Sequence, residues 1–475
     1  MSAVLIQALS GLSHAATLFL VASGLSIIFG VTRIVNFAHG SFYMLGAYMA
    51  YSFGQSLAAH LGGPLGFWSG IVLAALAAGV AGVVMEVALL RRIYHAPELL
   101  QLLATFGVVL IVQDAALWVW GREDLFAGRA PGLKGSVEIL GQRFPQYHLF
   151  LIVLGPLVLG ALWLLFHRTR WGVLVRAATQ DREMVGALGV NQRRLFTSAV
   201  FLGCVLAGLG GALQIPKEAV HLQMDTHVIA EAFVVVVIGG MGSVAGAFLA
   251  SLLVGLLSAF GILVFPQLTL ALTFLVMAVV LVLRPYGLLG EPEAAVRTAA
   301  QAAEPQLRLA GGAGKALAAA SLLLLALLPV VASEYVQLLA TEILILALFA
   351  ASLHFVLSIG GLVSFGHAAY FGIGAYACGL LLQHFALPME LTLLAAPVAA
   401  SAVAVLFGWF CIRLSGVYLA MLTLAFAQIL WSIAFQSGWT GGDNGILGVW
   451  PAAWLGSRTR IPAPPAAACA AGSDL

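Results

Sequence analysis

Charge is what this sequence has least of. Asp, Glu, Lys and Arg make up 8% of its 475 residues, against 62% apolar residues, and the mean hydropathy is +1.05. Ordinary soluble domains carry roughly 25% charged residues. A soluble fold of this length has no interior large enough to hide so much apolar surface, so the solvent is largely lipid. That excludes a soluble enzyme, a secreted disulfide scaffold and a disordered regulator. The formal net charge is only +2. With no basic run suited to a phosphate backbone, a nucleic-acid partner is excluded too. Cysteine is scarce: Cys204, Cys378, Cys411 and Cys469 form no CxxC pair. Neither a disulfide framework nor a metal site is expected from them. The N-terminus lacks a basic region and a cleavage site, so the first apolar stretch reads as a retained helix.

Long apolar runs are what the chain has instead. A membrane helix needs about 20 mostly apolar residues. This rule places spans near 8–31, 37–58, 67–90, 99–120, 147–166 and 195–215, then a long block at 228–260 and a span at 265–284. A polar, Ala/Gly/Pro-rich stretch, 285–315, reads as a linker. Further spans fall near 316–332, 337–359, 364–385, 391–411 and 415–436. The runs are too continuous for alternating barrel strands, so the fold class is all-α, a polytopic helical membrane protein.

Basic residues set the orientation. The loop 167–194 holds six arginines against two acids and is assigned to the cytoplasm. Arg33, Arg91 and Arg92 then fall on the same side, and the loop 121–146 outside. With 265–284 crossing once, the block 228–260 must enter and return. Gly239-Gly240-Met241-Gly242-Ser243 at its centre suits a broken, re-entrant pair of short helices. The alternative is one long tilted helix whose small residues allow close packing.

The chain contains an internal repeat. Residues 22–50 align without gaps to 350–378, pairing Leu25 with Leu353, Val35 with Val363, Phe37 with Phe365, His39 with His367 and Tyr48 with Tyr376. A weaker echo pairs Thr105 with Thr423. The extra span at 316–332 gives both copies the same orientation, so the repeat is parallel, with a pathway expected at its interface.

Motifs for chemistry are few. Gly311 to Ala316 looks superficially like a phosphate-binding loop, but positions 309 and 316 are Leu and Ala and the strand-to-helix context is missing. No catalytic residues are assigned. His39 and His367 either line a central path or make interhelical hydrogen bonds that pack each half. Neither has a second metal ligand at helical spacing. Asp114, beside Trp118 and Trp120, reads as an interface group or a hydrogen-bond partner of a neighbouring helix. Glu86, Glu342 and His354 read as helix-end or bundle-facing groups. The arginine-rich loop suits a short helix near 175–188 stopped by Gly189. So short an exposed helix gains little stability alone and makes sense under a covering partner.

These residues resemble a known family, the permease subunits of branched-chain amino acid ABC importers, LivH-type and LivM-type, joined in one chain. Residues 1–290 resemble the LivH type through Ile28–Gly40, Arg168-Thr-Arg-Trp-Gly172, Arg176–Glu183, Ala187–Val190, Val237–Ser243 and Leu283–Leu288. Residues 316–450 resemble the front part of the LivM type through Ser364–Tyr376, Arg413–Tyr418, Thr423–Ala427 and Thr440–Gly445. The resemblance implies two parallel-repeat halves of an ABC importer permease fold, with 291–315 as the linker and 451–475 as an atypical tail, so the second half is incomplete. It implies alternating access in the inner membrane, driven by two ABC ATPase subunits that hydrolyse ATP, so no cofactor is needed on this chain. A periplasmic substrate-binding protein would deliver the amino acid, and the pattern leaves room for another permease chain. Residues 175–189 would couple to the ATPases through Arg176, Asp181, Arg182, Glu183 and Gly189. Asn36, Phe37, His39, Thr105, Gly239, Gly240, Gly242, Phe365, His367 and Thr423 are the pathway and gating candidates. Two rival readings are an ion-coupled secondary transporter and a membrane enzyme acting on lipid through His221, Asp225, His227 and Glu231.

Overall fold

The computed structural model describes residues 2–290 and 311–449, apart from His95, Phe265, Ala386, Ser415 and Gly448 and the side chains of Glu98, Leu99, Arg182, Glu183, Gln267 and Leu270. The tail at 451–475 and the linker at 291–310 lie outside the described residues.

The first half opens with α1 (Ser2–Thr32), α2 (His39–Leu61) and α3 (Gly63–Met85). A π-helical turn, Glu86–Leu90, carries α3 into the short α4 (Arg91–Ile93). Then come α5 (Glu98–Trp120), α6 (Gln146–Arg168), α7 (Arg170–Gln180), α8 (Arg182–Ala187) and α9 (Gln192–Ala212). It closes with α10 (Met224–Gly239), α11 (Val244–Val264) and α12 (Thr269–Leu283). The second half contains α13 (Gly312–Val331), α14 (Glu334–Ser358), α15 (His367–Phe385), α16 (Met389–Cys411) and α17 (Gly416–Gln436). Ten of the described helices are long and apolar enough to cross a membrane. The chain is thus a polytopic helical membrane protein.

Three expectations change. The loop 121–146 contains an antiparallel hairpin, β1 (Ser136–Ile139) and β2 (Gln142–Pro145). Its turn residues Leu140 and Gly141 both have positive φ, the conformation that a two-residue hairpin turn demands. The expected linker ends earlier, because Gly312 to Lys315 already form the first turn of α13. The block at 228–260 does break at Gly240, but not into two short helices at half depth. Its second piece, α11, has 21 residues and runs the length of α1 in the opposite direction. Gly11 faces Gly255, Phe19 meets Phe248 with ring centroids 5.1 Å apart, and Gly30 meets Gly242. The turn therefore sits beside the far end of α1, level with Arg33.

α1 is the axis of the core, buried among α11, α9 and α6. α14, its counterpart in the repeat, has no buried residue among those described. The halves join where α12 and α10 pack against α17.

Candidate functional site

Matched residues of the repeat meet at that junction. Between α1 and α2, and again between α14 and α15, the chain leaves helix for a few residues. Non-helical backbone inside a membrane protein must find hydrogen-bond partners within the protein. Phe37 N–H donates to Thr105 Oγ1 at 3.4 Å, and Phe365 N–H donates to Thr423 Oγ1 at 3.0 Å. Each hydroxyl donates back into its own helix, to Leu102 O at 3.0 Å and Ala420 O at 2.7 Å. The Phe37 and Phe365 rings meet edge to face, centroids 5.6 Å apart. Beside them, Val35, Val363, Leu102 and Ala420 help enclose a cavity of about 10 Å³. That is at the lower limit for a single water, so the junction is closed.

The two histidines occupy equivalent places with different partners. His39 Nε2 donates to Val21 O at 2.9 Å, and its ring lies against Gly24. In the ungapped repeat Gly24 corresponds to Ser352. Ser352 Oγ lies 2.7 Å from His367 Nε2 and gives its own proton to Phe349 O at 2.7 Å. A hydroxyl has one proton, so His367 Nε2 donates to Ser352. Both imidazoles thus carry the proton on Nε2 and donate to the preceding helix. Asn36 is fully buried and its Oδ1 accepts from Ala38 N–H at 3.1 Å. Among the described residues no group of three or more His, Cys, Asp or Glu is placed to hold a metal ion.

The glycine-rich turn is a second meeting point. Gly240 and Gly242 have φ of 99° and 86°, a region costly for residues with a Cβ. The segment after α12 lies across this turn: Leu288 N–H donates to Ile238 O at 2.7 Å, and Leu289 N–H to Gly239 O at 3.0 Å. A Cβ on Gly240 would overlap the backbone of Gly290. Tyr286 in the same segment meets Tyr418 of α17 edge to face at 5.9 Å. The stretches 237–243, 283–288 and 413–418 therefore converge, joining the turn to the second half.

The arginine-rich loop packs below the end of α1. Instead of one helix over 175–188 it forms two, because Asp181 breaks the run. Its Oδ1 accepts from Met184 N–H at 2.9 Å and caps α8. Gly189, with φ of 80°, ends α8 in a Schellman arrangement, Gly189 N–H donating to Gly186 O and Val190 N–H to Val185 O. Gly172, Val175 and Ala178 are buried on one face of α7, while Arg176 and Asp181 are exposed. Trp171 Nε1 donates to Ser198 Oγ at 2.7 Å, and Arg33 Nη2 to Thr179 O at 3.3 Å. The side chains of Arg182 and Glu183 lie outside the described residues.

Comparison with known proteins decides what this architecture is. Residues 7–283 and 335–455 match the family described as "Branched-chain amino acid transport system / permease component". The chain belongs to this family. Among its relatives is the high-affinity branched-chain amino acid transport system permease protein BraD of Pseudomonas aeruginosa. It is 30% identical over 308 residues, 60% of this chain and 96% of BraD. The LivH permease protein of Escherichia coli K12 is 26% identical over 297 residues, 60% of this chain and 96% of LivH. The LivM permease protein of the same strain is 27% identical over 314 residues, 62% of this chain and 69% of LivM. No solved structure gives a significant match. The protein is a multi-pass transport permease of the bacterial inner membrane.

One acid of this permease, Asp225, stands elsewhere than its sequence suggests. Asp114 is exposed. Asp225 is the buried one, at 1% exposure. Its carboxylate accepts from Gln113 Nε2 at 3.0 Å, Ser41 Oγ at 3.3 Å and Thr226 N–H at 2.7 Å. These bonds hold it on the α2 and α5 side of α10 rather than with His227 and Glu231. Glu86 is fully buried in the π turn, where it pairs with Arg91 at 3.1 Å and accepts from Thr197 at 2.8 Å and Tyr94 at 3.0 Å. A lone Glu at the end of an apolar run gave no sign of that network; the nearby Arg91-Arg92 pair was the available hint.

Proposed function

We propose that this permease imports branched-chain amino acids, or related small amino acids and amides, by alternating access between its halves. The observation that carries the reading is the closed junction of repeated residues, Phe37–Thr105 against Phe365–Thr423. A path between two parallel repeats opens when they move apart, and substrate affinity must differ between the two states for ATP to drive net movement. Residues 1–290 act as the LivH-like half and 316–450 as the LivM-like half. The names of BraD, LivH and LivM support the substrate class.

ATP is hydrolysed on partner chains. Two ATPase subunits dock on the face that carries α7 and α8, with exposed Arg176 and Asp181 among the contacts, and Gly189 fixes the turn behind them. The buried face of α7 and the Arg33 bond transmit docking to the end of α1. A periplasmic binding protein delivers substrate at the opposite face, and a further permease chain can pair with this one. The test is co-purification with the ATPase subunits, followed by leucine uptake into proteoliposomes with binding protein and ATP. Asp181→Ala with Glu183→Ala is expected to weaken co-purification while insertion stays intact. Unchanged co-purification would remove the docking assignment, and absence of uptake by the wild-type assembly would remove the transport reading.

A further inference from the structure

A polar cleft of about 280 Å³ opens at the end of the bundle opposite Arg33 and the arginine-rich loop. His14, which lines it, lies 19 residues before Arg33, about 28 Å along a helix at 1.5 Å per residue. Tyr43 of α2, Gln214 and Glu218 of the turn after α9, and His227 and Glu231 of α10 complete much of its wall. Its volume is near the lower end for small-ligand sites, roughly 300 Å³.

Gln214 carries the argument. The residue is 5% exposed, and its Oε1 has no hydrogen-bond partner among the described residues. A buried acceptor without a donor is costly, so such an atom in a cavity wall is matched to a ligand donor. The backbone around it is rigidly placed: Gln214 O accepts from Lys217 and Glu218 N–H at 2.8 and 3.1 Å, and Tyr147 Oη donates to Leu213 O. Glu231 faces the same cleft, 3.5 Å from His14 Nε2, with 44% of its side chain accessible. Glu218 adds a second carboxylate. Lys217 lies near both acids, but burial pulls its pKa below the usual lysine value, which weakens it as an internal counter-ion. A neutral acceptor oxygen beside carboxylates, with unmatched acceptor capacity, suits a ligand that is cationic and rich in N–H donors.

We propose that this cleft receives the ammonium group of an amino acid, with Gln214 Oε1 and Glu231 as its acceptors. The assignment deepens the transport reading and rests on it for the identity of the amine. It gives the permease its own recognition of the zwitterion before the junction opens.

The test is calorimetric binding to the full chain in nanodiscs, using leucine, leucinamide and 4-methylpentanoate, which present both charged groups, the ammonium alone and the carboxylate alone. Leucine and leucinamide are expected to bind and 4-methylpentanoate not. Gln214→Leu and Glu231→Gln are each expected to weaken leucinamide roughly tenfold or more, the worth of one hydrogen bond to a charged group. Gln214→Glu, which keeps the volume and adds a charge, is expected to tighten it, and it serves where Gln214→Leu does not fold. No leucinamide binding by the wild type, equal binding of 4-methylpentanoate, or affinities untouched by the substitutions would overturn the proposal. Uptake measured in parallel separates the two readings. Binding without uptake removes only the transport reading, and uptake without leucinamide binding removes only the cleft.

Discussion

Gly240→Ala tests the convergence of motifs at the glycine-rich turn. Gly240 has φ of 99° and ψ of 122°, a region that residues other than glycine occupy at a cost of about 1–3 kcal/mol. Its new Cβ would also overlap the Gly290 backbone and push the 284–290 segment off the turn. Two backbone hydrogen bonds are then lost, Leu288 N–H to Ile238 O and Leu289 N–H to Gly239 O. At about 1 kcal/mol each, these bring the total to about 3–5 kcal/mol. Gly62→Ala is the control, since Gly62 has φ of 83° and ψ of 153° but nothing within 4 Å of its Cβ position. It carries the backbone cost alone. Unfolding in SDS–detergent mixtures should separate the two variants by about 2 kcal/mol. Hydrogen exchange should show the Leu288 and Leu289 amides protected in the wild type and open in Gly240→Ala. Equal destabilisation by both substitutions, with the two amides still protected, would refute the reasoning.

Three further outcomes follow from the same geometry. Thr423→Val leaves Phe365 N–H without its 3.0 Å acceptor and should destabilise by about 1–3 kcal/mol, more than Thr105→Val, whose bond to Phe37 is 3.4 Å long; SDS unfolding of the pair checks the order. Asp225→Asn sets an amide against the donors of Gln113 and Ser41 and should also cost about 1–3 kcal/mol, whereas Asp114→Asn, on an exposed side chain, should stay within about 0.5 kcal/mol in the same assay. Glu86→Ala strips Arg91, Thr197 and Tyr94 of their shared acceptor and should cost about 3–5 kcal/mol, with a blue shift of Tyr94 absorption as its phenol loses the carboxylate.

Much of this architecture was legible in the sequence because lipid imposes a simple length rule, and the spans follow the apolar runs closely. The repeat was legible too, and its pairs 37/365 and 105/423 became matching hydrogen bonds. What the sequence hides is which face of each helix is buried. Lipid and protein interior are both apolar, so α1, buried along its apolar stretch, and α14, with no buried residue among those described, read alike. Asp225 shows the same limit: the sequence groups it with His221, His227 and Glu231, whereas its partners Gln113 and Ser41 lie on helices that no local spacing connects to it. The break of the arginine-rich helix at Asp181 rested on a local capping bond that competes with helix continuation, a choice short helical periodicity does not resolve. The docking of 284–290 on the turn at 238–242 joins segments far apart in the chain, and each motif alone carried no sign of the other.

The most direct test of the account is to tether the junction. In a background with the four native cysteines replaced by alanine, Phe37→Cys and Phe365→Cys would be bridged by a short bifunctional methanethiosulfonate, and ATP-driven leucine uptake measured before bridging, after it, and after reduction. Rings that meet at 5.6 Å between matched positions of the two repeats should act as the gate. The account predicts that bridging abolishes uptake and that reductant restores it. Uptake that persists at full rate through a completed bridge would contradict it.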